Sequence, residues 1–286
     1  MIKSRLVEII VDLLRSPIGP ALVLLGGALV QLIAGRWMRR PAWLTGLALF
    51  FVAASGMLWL GLRFQEVVPV YSRPWQPLLQ NGANLLWIGD GWNWYISGLI
   101  LVLGGAGILL ELNNRRQLAV AQNRDRIHTN LAIHLSVLAG ALLFVGSGNL
   151  LTAILTWVIM DLFILVRSAA RMDLAQGLDA RTQLQQSQAK GLSLLGALLL
   201  LIALLPAGPT GPGQAFQDGV LPLETVALML AAAAIRAGLY PFHLWLLPTD
   251  RDHVNLSERL LDHMVPVLSG LWLMGWTMGL GAEVIL

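Results

Sequence analysis

Cysteine is absent from the 286 residues. Its absence excludes a disulfide framework, a thiolate metal site, a thiol nucleophile and the usual ligands of an iron–sulfur cluster. Charge is scarce too. Asp, Glu, Lys and Arg make up 12% of the chain, against about 25% in an average soluble domain. Hydrophobic residues make up 56%, the mean hydropathy is +0.69, and a bilayer is the solvent that suits such a chain. No Gly-x-Gly-x-x-Gly run follows a predicted strand, so no nicotinamide or flavin fingerprint is present. The net charge is +3 and the isoelectric point is near 9.8. That excess does not indicate nucleic acid, because the basic residues sit in short clusters between apolar segments. Residues 1–15 carry charge throughout, and no small-residue cleavage site follows a short apolar core, so a cleavable signal peptide is not expected.

What is present is a series of long apolar runs. A helix needs about 20 apolar residues to cross a hydrocarbon core of about 30 Å. Eight spans meet or approach that length: 17–35, 42–62, 93–112, 129–146, 149–167, 191–206, 222–241 and 261–282. The predicted fold class is therefore all-α, a polytopic membrane helix bundle of about eight transmembrane helices with a broken seventh helix. The turn Gly146-Ser147-Gly148-Asn149 joins the fourth and fifth spans, and the loop PAGPTGPGQ ends the sixth. Residues 1–15 differ from the rest. Leu6, Ile9, Ile10, Leu13 and Leu14 recur at helical spacing among Lys3, Arg5, Glu8, Asp12 and Arg15. That pattern fits an amphipathic helix lying in the interface, or a helical extension of the first span. Residues 16–286 form a single transmembrane domain. Tryptophans such as Trp37, Trp43, Trp75, Trp87, Trp92 and Trp94 sit near span ends, as an aromatic belt does.

Orientation follows from the loops. Arg36, Arg39, Arg40, Arg115, Arg116, Arg124, Arg126, Arg167, Arg171, Arg181, Lys190, Arg251 and Arg259 fall on one side, and Lys3, Arg5, Arg15, Arg63 and Arg73 on the other. The positive-inside rule puts the richer side in the cytoplasm and both termini outside, in an inner (plasma) membrane.

A charge at mid-bilayer costs about 2.5–3.5 kcal/mol on insertion scales, so it faces a partner, water or the bundle interior. Asp161 in span five, Arg236 in span seven and Asp262 at the start of span eight are the candidates. Arg236 lies five residues before Pro241, and proline breaks a helix by removing a donor. A charge beside a break reads as a polar hub, or as an arginine snorkelling to the headgroups at a helix end. Asp161 and Arg167 are six apart, which does not place them on one face, so Asp161 looks across to another helix. Asp262 and His263 follow the charged loop DRDHVNLSER and are equally well solvated in the interface. The histidines show no matched pair for heme and no metal cluster.

The stretch IRAGLYPFHLWLLP resembles a signature of the antiporter-like membrane subunits of respiratory complex I and multisubunit sodium/proton antiporters. There a lysine is followed, after four residues, by Pro-Phe-His-x-Trp-Leu-Pro. Arg236 falls on the lysine position, and Pro241, Phe242, His243 and Trp245 match directly; Leu247 is a one-residue insertion. Asp90-Gly91 is similar to the opening of the family's third helix here. Ser147-Gly148-Asn149-Leu150-Leu151 with Trp157 resembles its Gly-Asn-Leu-Leu…Trp-Glu run, and RLLDHMVPVLSGLWLM the helix that follows. The resemblance covers residues 85–286.

It implies a proton-translocating membrane subunit of a complex I-like NADH/quinone oxidoreductase assembly, not itself catalytic and without a cofactor or metal. Partners would be other membrane subunits, with the lipid bilayer around them and no nucleic acid. In the family a glutamate on helix five pairs with the lysine on helix seven, and protons pass along a hydrated axis. The implied proton relay here is Asp161, Arg236, His243, Asp262 and His263, with Pro241 as the helix break. This chain departs from the pattern at each key point. Val158 stands where the glutamate follows Trp157, with Asp161 one turn further on. Arginine replaces lysine and is effectively never deprotonated. The sequence stops after the eighth span where the family continues for about six more helices, so it holds at most half the usual path unless it is a fragment or a separate chain supplies the rest. A structural scaffold subunit, a cation/proton antiport subunit and a partner in inorganic-carbon uptake are the other roles such a chain would fit.

Overall fold

The computed structural model describes residues 8, 11–38, 40–75, 84–117, 127–172, 180–208, 211–218, 221–243 and 260–285. Eight α-helices lie among them: α1 (Gly19–Ala34), α2 (Pro41–Arg63), α3 (Gly91–Gln117), α4 (Ile127–Val145), α5 (Leu150–Met172), α6 (Ala180–Ala203), α7 (Leu223–Ala237) and α8 (Val265–Ile285). Each falls on one of the eight apolar spans. Pro41–Arg63, Gly91–Leu110, Ile127–Val145 and Leu150–Arg167 are long and apolar enough to cross a membrane; Gly19–Ala34 and Gly191–Ala203 are shorter apolar helices. The chain is a membrane-embedded, multi-pass helix bundle. Residues 11–15 are helical; most of the amphipathic helix expected over 1–15 lies outside the described residues.

Helix ends follow their sequence signals. α2 opens with Pro41 in its first turn, where a missing N–H costs nothing. Asp90 caps α3 by accepting the Asn93 N–H at 2.8 Å, and Asn149 caps α5 by accepting the Thr152 N–H at 2.9 Å. Side-chain acceptors at this position satisfy N–H groups that have no partner in the helix.

The apolar-run analysis did not foresee a two-stranded hairpin. β1 (Val70–Pro74) pairs antiparallel with β2 (Asn84–Ile88), Val70 opposite Ile88. The Gly146–Asn149 turn continues the pairing. The Ile88 N–H donates to the Gly146 carbonyl at 2.9 Å, and the Gly148 N–H donates to the Leu86 carbonyl at 2.7 Å. A Cβ at Gly148 would lie 2.7 Å from the Ile88 side chain, so this close approach requires glycine. The Asn149 amide donates to the carbonyls of Asn84 and Gly213. The Gly-Asn motif thus knots the hairpin, α5 and the loop after α6 at one end of the bundle.

α4 runs through the middle and is buried along nearly its whole length. It packs on α1, α3 and α5. Glycines let backbones close in, as is common between membrane helices. A Cβ on Gly140 would lie 3.1 Å from the Met160 Cα, and one on Gly270 would lie 2.3 Å from the Ala237 nitrogen. Phe144 ties the core together, meeting Trp157 and Trp272 edge-on at 5.6 and 5.0 Å between ring centroids.

α7 is broken, but not at Pro241. It ends at Ala237, and Gly238 takes the left-handed conformation, φ 63° and ψ 35°. The Gly238 N–H donates to the Ile235 carbonyl and the Leu239 N–H to the Ala234 carbonyl. This is the glycine-terminated cap that closes many helices. Glycine adopts it without a Cβ penalty, so the helix stops at Ala237, four residues before the proline. Pro241 lies in the turn beyond, among Tyr240 and His243. Trp245, Pro248 and the loop DRDHVNLSER lie outside the described residues.

Candidate functional site

Two residues one turn apart on α5 prepare the site. Trp157 and Asp161 have i, i+4 spacing and share a face. Across from them α6 presents Ser193 and Gly196, at i, i+3, and α7 brings in Arg236 from its last turn. Arg236 is 3% exposed. Its Nη1 donates to Asp161 Oδ1 and to Ser193 Oγ at 3.0 Å. The Ser193 hydroxyl donates to the other carboxylate oxygen at 2.6 Å. Cation, carboxylate and hydroxyl close a triangle over three helices.

The other side of the site is aromatic. The guanidinium carbon lies 4.3 Å from the centroid of the Trp157 ring and 5.9 Å from that of Phe144. A cation over an indole face is attracted by the ring's quadrupole, more so away from water. Gly196 makes room for that ring, since a Cβ there would lie 2.7 Å from Trp157 Cζ2. Arg236 Nε and Nη2 and Trp157 Nε1 are buried donors with no acceptor among the described residues. Buried donors are rarely left without an acceptor.

Val158 occupies the position of the family's glutamate. It is turned away from this triangle and is 52% exposed. A carboxylate there would have to turn back to reach Arg236, and Asp161 reaches it directly. Of the pair, the aspartate is the open partner: its side chain is 21% exposed and that of Arg236 3%.

Asp262 is not part of this cluster. It pairs with Arg167, whose Nε donates to Asp262 Oδ1 at 2.8 Å, with side chains 8% and 26% exposed. The two ion pairs lie six residues apart on α5, about 9 Å along the axis. Asp262 and His263 sit in a single π-turn, Leu260–Met264, ahead of α8. His243 stacks on Tyr240 at 5.6 Å between centroids, and no hydrogen bond joins it to Arg236 among the described residues. Of the five relay candidates, then, the structure brings together Asp161 and Arg236. His134, fully buried in α4, has Nε2 3.2 Å from the Gly104 carbonyl, a structural hydrogen bond.

The sequence analysis did not include Ser193, nor Arg167 as a partner for Asp262. Ser193 carries a weak signal, a hydroxyl inside an apolar run. Trp157 entered only as part of a motif, and nothing in one sequence announces a ring that faces a cation on another helix. Among the described residues there is no group of three or more His, Cys, Asp or Glu side chains able to hold a metal ion.

No protein-family model and no curated protein matches the chain. Solved structures do. A chain of the membrane-bound sulfane sulfur reductase, an archaeal respiratory membrane complex, matches with a TM-score of 0.63 and 21% identity over 90% of this chain. A chain of the Mrp complex from Dietzia sp. DQ12-45-1b matches with a TM-score of 0.66 and 17% identity over 89% of this chain. The match spans 40% of the first of those chains and 27% of the second. At such identities the likeness is one of fold: the chain shares the membrane-helix fold of chains in these two complexes, in line with the sequence resemblance.

Proposed function

We propose that the chain is a proton-translocating membrane subunit of a complex I-like, multisubunit energy-coupling assembly, and that Asp161 is the group that takes up and releases the proton. Arg236 is then a fixed cation beside it, since a guanidinium does not give up its proton. One observation carries this reading: an ion pair sealed among three membrane helices whose acidic member is the more open, 21% against 3%. Of the two partners, the carboxylate is the one that a proton donor from outside the triangle reaches first. Ser193, bonded to both partners, hands a hydrogen bond between them as the charge changes. The two buried guanidinium nitrogens without an acceptor among the described residues would be satisfied by water inside the bundle. The Arg167–Asp262 pair, with His263 next to it, is a second relay station about 9 Å further along α5. His243 would shuttle protons at the broken end of α7.

The likeness to subunits of a respiratory complex and an Mrp complex supports other membrane subunits as partners. The loop charges favour an inner membrane as the setting, with both termini on the non-cytoplasmic side. Redox chemistry would belong to the partners. A second reading, a scaffold subunit that conducts nothing, is favoured by the permanence of the arginine's charge. The test is proton flux in vesicles containing the assembly purified from native membrane, with Asp161→Asn beside the unaltered chain. The proposal expects normal subunit stoichiometry and lost flux. Impaired assembly with unchanged flux per assembled complex would establish the scaffold instead.

A further inference from the structure

The Ser193 hydroxyl accepts from Arg236 Nη1 at 3.0 Å, and two stronger supports of different kind hold the cation beside it. Asp161 holds it by charge and hydrogen bond, and Trp157 holds it by the face of the indole at 4.3 Å. The two supports respond differently to a proton. Neutralising Asp161 removes most of its attraction for the guanidinium, whereas the quadrupole of the indole does not change. An arginine in an apolar bundle that lost this counter-charge would leave for the headgroups, since its long stem allows it to snorkel. Arg236 has short reach in that direction, because α7 ends one residue after it and the chain turns at Gly238.

We infer that Trp157 is the positioning residue that keeps Arg236 in place when Asp161 is neutral. The inference rests on the proposed role of Asp161, and it deepens that role. The cation stays fixed through the cycle, so the carboxylate meets the same positive charge each time it releases its proton. Three further features of the site fit this. Phe144 backs the guanidinium from a second side at 5.9 Å and braces Trp157 edge-on at 5.6 Å. Gly196 opens the slot in which the indole lies. Trp157 is fully buried and its Nε1 finds no acceptor among the described residues, so the polar edge of this residue does not explain its placement, and its face does.

The test uses the whole chain with fluorinated tryptophan at position 157. Fluorine withdraws charge from the ring face and weakens cation binding stepwise while keeping the shape nearly constant. Substitution at ring positions 4 and 5 avoids the Cζ2–Cη2 edge, which lies against Gly196. The first readout is the thermal midpoint in mild detergent of the Asp161→Asn chain carrying zero, one or two fluorines. The inference expects a fall with each fluorine, and a much shallower fall in the chain that keeps Asp161. A midpoint that ignores fluorine in both backgrounds overturns it. The second readout is proton flux: Trp157→Leu should lose roughly tenfold and Trp157→Phe distinctly less, because phenylalanine retains a π face. Equal loss in the two variants also overturns it. Should the unaltered assembly pass no protons at all, the proposed function fails, and the fluorine series still decides the role of Trp157.

Discussion

Asp161 and Arg167 lie six residues apart on α5, and each is one half of an ion pair with another helix, but the two pairs are made of different material. Asp161–Arg236 is enclosed by an indole, a phenyl ring and a hydroxyl, with the cation 3% exposed. Arg167–Asp262 lies nearer the end of its helix, with its cation 8% and its carboxylate 26% exposed, against 3% and 21% in the inner pair, and a π-turn under it. The difference teaches where each charge gets its stabilisation. The inner pair is held chiefly by its own partners, in a medium where a lone charge costs about 2.5–3.5 kcal/mol. The outer pair can lose one member and solvate the other. The inner pair therefore carries the larger penalty for any change, and it is the better place for a proton to have consequences.

The largest expected effect separates the pairs directly. Arg236→Met leaves Asp161 without its cation inside the bundle, and breaking a buried pair in this way costs about 3–5 kcal/mol. Arg167→Met should cost less, because its partner carboxylate lies nearer a helix end, although the two pairs are almost equally buried (8% and 26% exposed against 3% and 21%). Thermal midpoints of the two variants in one detergent check this; equal losses would erase the distinction drawn between the pairs. A smaller effect is expected from the backbone that presents Arg236. Gly270→Ala places a Cβ 2.3 Å from the Ala237 nitrogen and must move α8 off α7, at about 1–3 kcal/mol. That variant should also lower proton flux more than Gly56→Ala, since nothing lies within 4 Å of a Cβ built on Gly56.

The smallest effect lies outside the membrane spans. Burial, only partly offset by the Asn93 N–H and Gln217, raises the Asp90 pKa above its ordinary 3.8. The folded chain then binds this proton more tightly than the unfolded one, so its stabilising contribution is present at low pH and is lost as pH rises above about 3.8 through the raised value. Asp90→Asn keeps a capping side chain and removes the charge. It should stabilise the chain slightly at neutral pH and lose that advantage in acid, as paired thermal melts would show.

Much of this architecture was legible in the sequence because the bilayer writes so simple a code. Helix length follows the hydrocarbon thickness, and all eight spans became helices. Asp161 and Arg236 stood out for the same reason, as charges in apolar runs. The hairpin did not stand out, since its strands are five residues each and its register depends on Gly146–Asn149, far along the chain. The end of α7 was misplaced because proline is the louder breaker, while the cap that stops the helix depends on the φ of Gly238. The pairing of Asp262 with Arg167 joins residues 95 apart in sequence, and a single sequence holds no trace of it. Ser193 and Trp157 are ordinary residues whose importance comes from facing Arg236 across helix boundaries.

The central claim is that Asp161 takes up a proton while Arg236 remains a cation. Infrared difference spectroscopy of the purified assembly, recorded across a pH step in the unaltered and Asp161→Asn chains, tests it most directly. The account predicts a protonated-carboxyl band on the acid side that is present in the unaltered chain and missing in the variant. Identical difference spectra from the two chains would contradict it and leave the pair as a static strut.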